Sequence, residues 1–201
     1  METIDLFILG FSSYLIGSIP FAYLLPKLFG FGDIRKIGSG NVGSTNVLRT
    51  GNKFLAIIVL LFDILKGFLP FFYFKIFFWN VETSLTIYLV SSLVIVGHLF
   101  PIWLKFKGGK GVATYIGFLF SINHLLGLIF ICSWLIIALI TKYSSLSSIL
   151  SILIIPIVVI YLFSFNFSIN FLFIIISVVI ISKHYSNILR LFNKTESKIK
   201  F

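Results

Sequence analysis

Long apolar runs separated by short polar breaks make up nearly all of this chain. Runs at roughly 3–25, 54–75, 81–102, 112–121, 124–141, 146–164 and 168–183 predict helices, because about 17–25 apolar residues in helical form cross a bilayer core. The fourth run is short. The break at Ser121-Ile122-Asn123-His124 leaves three arrangements open for residues 112–141: one long tilted helix, a re-entrant hairpin, or two spans. The fold expected is an all-α integral membrane protein with seven transmembrane helices. The first run starts near Glu2 and Asp5, without a basic flank or a small-residue cleavage site, so it reads as a retained helix rather than a signal peptide.

Composition supports a bilayer setting. The chain is 59% hydrophobic and 11% charged, against roughly 25% charged residues in soluble domains. No hydrophilic stretch is long enough to fold alone, so residues 1–201 read as one polytopic domain. The formal net charge of +10 is unevenly placed. Most Lys and Arg lie before residue 54, at 105–110, at Lys142 and after residue 182. The opposite loops and the N-terminus hold Lys75 with Glu2, Asp5 and Glu82. The positive-inside rule then puts the N-terminus outside and the C-terminus in the cytoplasm. An odd number of spans brings the polar loops to one face; seven fits, and five fits too. The charge thus faces headgroups, and no nucleic acid partner is expected. Trp79 and Trp103 fall at helix ends as interfacial anchors. The lone Cys132 sits in an apolar run, which excludes a disulfide framework and a cysteine metal site.

Three polar cassettes interrupt the apolar pattern. The first is Gly38-Ser39-Gly40-Asn41-Val42-Gly43-Ser44-Thr45-Asn46-Val47-Leu48-Arg49. Glycines let backbone N–H groups turn toward one anion, Ser39, Asn41, Thr45 and Asn46 add side-chain donors, and Arg49 offers a bidentate fork. A helix starting near Gly43 would add its N-terminal dipole. The spacing imitates a P-loop, but Ser44 stands where Lys is needed and no strand is expected before it. The plainer reading is a surface turn with a helix cap. The second cassette, Phe106-Lys107-Gly108-Gly109-Lys110-Gly111-Val112, is a flexible loop centred on Lys110, or simply a positive-inside loop. The third, His184-Tyr185-Ser186-Asn187-Ile188-Leu189-Arg190, puts His184, Asn187 and Arg190 on one helical face. His184 suits phosphate donation or general-base work, or a histidine among headgroups.

Asp63 and Lys66 lie about ten residues into a predicted span, roughly 15 Å deep. Ionisable groups there are costly and pair with one another, and the i, i+3 spacing allows it. A structural ion pair and a substrate role weigh equally. His98 sits near the basic face and reads as structural; His124 falls on the outer side, away from chemistry. Ser145, with its serine neighbours, borders a loop and suits either capping or an anion.

An enzyme, a transporter of phosphate esters and a structural protein are the competing classes. A transporter calls for internal repeats and polar groups near the midplane; no repeat is evident and polarity gathers at one face. A structural protein needs no glycine-rich anion loops. An interfacial enzyme fits best. The fifth residues after the histidines are Trp103, Ile129 and Leu189, so the His-Asp dyad of common glycerolipid acyltransferases is missing. Metal-protease and serine-hydrolase motifs are missing too, and no metal or other cofactor is expected.

Together, the Ser39–Arg49 cassette, Gly97-His98-Leu99-Phe100-Pro101 with Phe106–Thr114, and His184-x2-Asn187-x2-Arg190 with Thr195-Glu196 resemble the bacterial acyl-phosphate:glycerol-3-phosphate acyltransferases, the PlsY family. Asp63-Ile64-Leu65-Lys66-Gly67 is similar to that family's second-helix motif. Asn193-Lys194 departs from it where glycine often precedes Thr-Glu. The resemblance implies acyl transfer from acyl phosphate to the 1-hydroxyl of sn-glycerol 3-phosphate at the cytoplasmic face of a bacterial inner membrane. It implies a soluble phosphate acyltransferase as donor source, and a chain acting as a monomer. Ser39, Lys110, His184 and Asn187 would be catalytic. Ser39, Gly40, Asn41, Gly108, Gly109, Lys110 and His184 fall to the acyl-phosphate side. Thr45, Asn46, Arg49, Asn187 and again Lys110 fall to the glycerol-phosphate side. Asp63, Lys66, His98, Ser145, Arg190 and Glu196 take supporting roles.

Overall fold

A computed structural model describes residues 3–77, 85–162 and 166–199, and its regular structure is helical, with no strand among the described residues. It divides into two compact units, Met1–Ser121 and Ile122–Phe201. The first holds α1 (Thr3–Ser18), α2 (Phe21–Leu28), α3 (Ser44–Val47), α4 (Lys53–Phe77), α5 (Leu85–Leu99) and α6 (Val112–Ile122, ending at the boundary). The second holds α7 (His124–Thr141), α8 (Ser144–Leu162), α9 (Phe167–Ser182) and α10 (Tyr185–Phe192).

The predicted runs return as helices, with differences at their ends. The first run breaks in two, because Pro20 has no N–H to continue α1; the chain bends by 41° and restarts as α2. The last run bends by 62° into α10. Residues 112–141 form two helices. Asn123 leaves helical geometry, and its side chain caps α7 by accepting from Leu125 N at 2.8 Å. Among the described residues, four helices are long and apolar enough to cross a membrane, or up to six spans if each bent pair counts as one. The 11-residue α6 covers about 16 Å, roughly half of a hydrocarbon core. Trp103 is exposed in a 3-10 turn, as an anchor should be; Trp79, Glu2 and Glu82 lie outside the described residues.

Close helix contacts hold the first unit. A Cβ on Gly17 would land on the Val94 carbonyl, and one on Gly97 on the Tyr14 carbonyl, so α1 and α5 touch backbone to backbone. Gly67 and Gly117 serve α4 and α6 likewise, facing the carbonyls of Thr114 and Ile64. Small residues at helix seams are how packing proceeds where lipid removes the hydrophobic drive. Ala22, Ile34, Val42, Val47, Leu55 and Val59 form one buried cluster. It anchors both ends of the first polar cassette to α2 and α4.

In the second unit, serines of α8 bond to α7: Ser133 Oγ donates to Ser151 Oγ at 2.9 Å and Trp134 Nε1 to Ser148 Oγ at 3.0 Å. Phe7, Phe54, Ile140 and Phe167 are each more than two-thirds exposed. Apolar surface on that scale needs lipid to cover it.

Candidate functional site

The first cassette is folded around Asn46. Its side chain is buried, Nδ2 donates to the carbonyls of Ile34 and Ile37 at 3.0 Å each, and Oδ1 accepts from Ser39 N at 2.9 Å and Ser39 Oγ at 3.1 Å. Asn46 was expected to meet glycerol phosphate; its amide is instead committed to bracing the loop. Gly40 N is likewise turned inward, onto Ile37 O at 3.0 Å, so this amide does not face an outside anion. Gly38 has φ +55° and carries the Arg49 side chain directly above it: an added Cβ would come within 2.6 Å of Arg49 Cδ. Ser39 and Arg49 are thereby brought together, both exposed. The helix expected from Gly43 amounts to the single turn α3 and a following 3-10 turn. A helix this short sums few peptide dipoles, so the dipole argument falls away.

Asp33 and Arg35 frame this loop, and sequence reading gave them no role. Arg35 Nη2 lies 2.6 Å from Asp33 Oδ2, and its guanidinium stacks 4.8 Å from the Tyr23 ring centroid. The Arg35 side-chain hydrogen bond holds the Asp33 carboxyl down to about 2.

The second cassette folds back on the end of α5. Gly108 N donates to Leu99 O and Gly109 N to His98 O, both at 3.2 Å. Lys105 and Phe106 precede them with φ of 52° and 62°, a left-handed pair that side chains disfavour and that clusters at functional sites. Gly109 is buried between the His98 ring and the Val42 carbonyl, where a Cβ would strike both. Through this contact the Lys110 loop is seated against the Ser39–Arg49 loop. Lys110 is half-buried, while Lys107 is exposed.

Beneath these loops, Asp63 and Lys66 are 2% and 3% exposed and form an ion pair of 2.7 Å, as their spacing predicted. His98 Nδ1 is 3.7 Å from Asp63 Oδ1.

In the second unit, His184 caps the start of α10 and is buried. Its Nδ1 lies 2.9 Å from Ile180 O. A carbonyl only accepts, so Nδ1 carries the proton of this hydrogen bond. One carboxylate gathers the remaining residues: Glu196 Oε1 accepts from Asn187 Nδ2 and Ser145 Oγ, and Oε2 from Arg190 Nε, each at 2.7 Å. Burial alone would raise the Glu196 carboxyl; the hydrogen bonds from Ser145, Asn187 and Arg190 outweigh it and hold it below the ordinary range.

Apolar helices of membrane-crossing length carrying polar loops with cationic and hydroxyl side chains mark an integral membrane protein. Residues 7–194 match the glycerol-3-phosphate acyltransferase family, and the chain belongs to that family. The glycerol-3-phosphate acyltransferase of Pelagibacter ubique (strain HTCC1062) is 52% identical over 193 residues, covering 96% of this chain and 97% of that one. That of Bartonella henselae (strain Houston 1) is 48% identical over 187 residues, covering 93% and 88%. The crystal structure of PlsY (YgiH), an integral membrane glycerol 3-phosphate acyltransferase, in its glycerol 3-phosphate form matches with a TM-score of 0.89. Identity there is 34%, over 98% of this chain and 96% of that one. Its lysophosphatidic acid form gives 0.87 at 33% identity.

Proposed function

We propose that this chain transfers a fatty acyl group from acyl phosphate to the 1-hydroxyl of sn-glycerol 3-phosphate. The hydroxyl oxygen bonds to the acyl carbon, the acyl–phosphate C–O bond breaks, and the products are 1-acyl-glycerol 3-phosphate (lysophosphatidate) and inorganic phosphate. The hydroxyl proton leaves with the phosphate. The observation that carries the reading is the seating of the Lys110 loop on the first cassette at Gly109 and Val42. Two phosphorylated substrates need two cationic anion-binding loops held in fixed relation. The glycerol 3-phosphate and lysophosphatidic acid forms of PlsY support the acceptor and product.

Acyl phosphate is already activated, so positioning and charge stabilisation suffice for catalysis. Ser39, Asn41, Lys110 and His184 are assigned to the acyl phosphate, while Gly40, Gly108 and Gly109, whose N–H groups bond to the Ile37, Leu99 and His98 carbonyls, shape the loops. Arg49, Thr45 and Asn187 are assigned to the glycerol phosphate, with Lys110 serving both and Asn46 shaping the loop. Attack is direct, with no acyl-enzyme. The reading includes a single domain across both units, which the family match at 7–194 supports. It also includes seven spans with the N-terminus outside, a bacterial inner membrane, a cytoplasmic site, a monomer, and a soluble phosphate acyltransferase supplying the donor.

The test is purified protein with palmitoyl phosphate, glycerol 3-phosphate and a chelator. Lysophosphatidate and phosphate should appear in equal amounts. Movement of glycerol 3-phosphate into sealed vesicles with no product would favour transport.

A further inference from the structure

We propose that Asp63, Lys66 and His98 are positioning residues: a buried charge cluster that fixes the Gly108–Gly109 backbone against Val42 and so sets the spacing of the two anion-binding loops. This rests on the acyl-transfer reading above and extends it to residues that touch neither substrate.

The cluster links three parts of the first unit. Lys66 Nζ donates to Ile19 O at 2.8 Å, at the α1–α2 break, a carbonyl that also accepts from Phe21 N at 3.2 Å. Its ammonium also lies 5.6 Å from the Phe21 ring centroid. Asp63 faces both Lys66 and the Nδ1 edge of His98. His98 turns its Nε2 edge to Gly109 and gives its carbonyl to Gly109 N. On its other side Gly109 meets Val42 O, inside the first cassette. Charge on α4 is thus transmitted through one imidazole to the contact between the loops. Ser18, Asp63, Lys66, His98, Gly108 and Gly109 border a single cavity of about 10 Å³, about one water in size.

A buried ion pair is a poor source of net stability, since a well-packed apolar pair does as well. Its place beneath Gly109 gives it a different use. Glycine backbone is intrinsically loose, and an orientation fixed at the His98 ring restricts the loop without adding a side chain where substrate must approach.

Loops that still bind their own phosphate but are wrongly spaced should lower kcat more than either KM. The test compares wild type with the charge-neutral double variant D63N/K66M and with H98Q, each in detergent with a melting measurement. Positioning predicts a folded protein with kcat at least tenfold lower and each KM within threefold of wild type. A folded variant with kcat within twofold, or one whose whole loss lies in KM, overturns the proposal. A second measurement needs no variant: hydrogen exchange of the 98–111 segment in the wild-type protein. Slow exchange at Gly108 and Gly109, comparable to the last turns of α5, is expected; complete exchange at the first time point overturns the proposal. If wild type transfers no acyl group, the acyl-transfer reading fails by itself, and hydrogen exchange of wild type against D63N/K66M still decides whether the cluster holds the loop: faster exchange at Gly108 and Gly109 in the folded variant is expected, and unchanged exchange overturns the proposal.

Discussion

Asn187 Nδ2 donates to Glu196 Oε1 at 2.7 Å, so the amide of the third cassette is held by a carboxylate nine residues further on. Ser145 and Arg190 converge on the same carboxylate. The Glu196 carboxyl is held below its ordinary value of 4.5. A group with a depressed folded pKa contributes stability that is present above its unfolded value and lost as pH falls through the folded one. Melting temperature should therefore drop as pH is lowered from 4.5, and the Glu196→Gln variant should show a flatter profile over that window. Parallel profiles for the two proteins would contradict the assignment.

Asn46 uses both ends of its amide, so two replacements separate their roles. Asn46→Ala removes the side-chain donor shared by the Ile34 and Ile37 carbonyls, which keep Ile37 N and Gly40 N, and it removes the acceptor for Ser39, a loss of about 0.5–1.5 kcal/mol for each net hydrogen bond. Asn46→Asp keeps the acceptor for Ser39 but turns a charge toward those two carbonyls, and it should be the worse of the two. Denaturation midpoints for both variants check the order.

Arg49 lies over Gly38 beside Ser39. If its fork holds the phosphate of glycerol 3-phosphate, Arg49→Lys keeps the charge and loses the bidentate geometry. KM for glycerol 3-phosphate should rise roughly tenfold or more, in line with one lost charge-assisted hydrogen bond, while KM for acyl phosphate stays put. Equal changes in both constants would remove Arg49 from the acceptor side.

Ser39→Ala and Lys110→Met address the donor side. Each should lower turnover by at least about a hundredfold, the scale of losing a preorganised donor at a developing charge, with the melting temperature little changed. Near-wild-type turnover in either folded variant removes that residue from the mechanism.

Gly117 faces the Ile64 carbonyl with no room for a Cβ. Gly117→Ala should force α4 and α6 apart and destabilise the protein by about 1–3 kcal/mol, as overpacking does. Thermal melting in detergent reads it directly.

The helices were legible because bilayer length and apolar runs are strong signals; α7 begins and ends at the residues the pattern marks. The Asp63–Lys66 pair was legible too, since spacing and depth leave few alternatives. The internal use of Asn46 was not. Its partners are backbone carbonyls nine and twelve residues away, and a polar side chain in a glycine-rich loop looks the same whether it faces a ligand or its own chain. The α1–α2 bend had a signal in Pro20, which hydropathy alone passes over. The seat of Gly109 between His98 and Val42 depends on tertiary approach, for which the sequence offers a glycine and nothing more.

The donor is the claim on which the account turns. The most direct measurement is lysophosphatidate formation by the purified protein from glycerol 3-phosphate with palmitoyl phosphate and, in parallel, palmitoyl-CoA, each with chelator present. Turnover with palmitoyl phosphate alone, undiminished by the chelator, is the predicted result. Turnover with palmitoyl-CoA alone would contradict it, leaving a membrane acyltransferase that uses a different donor.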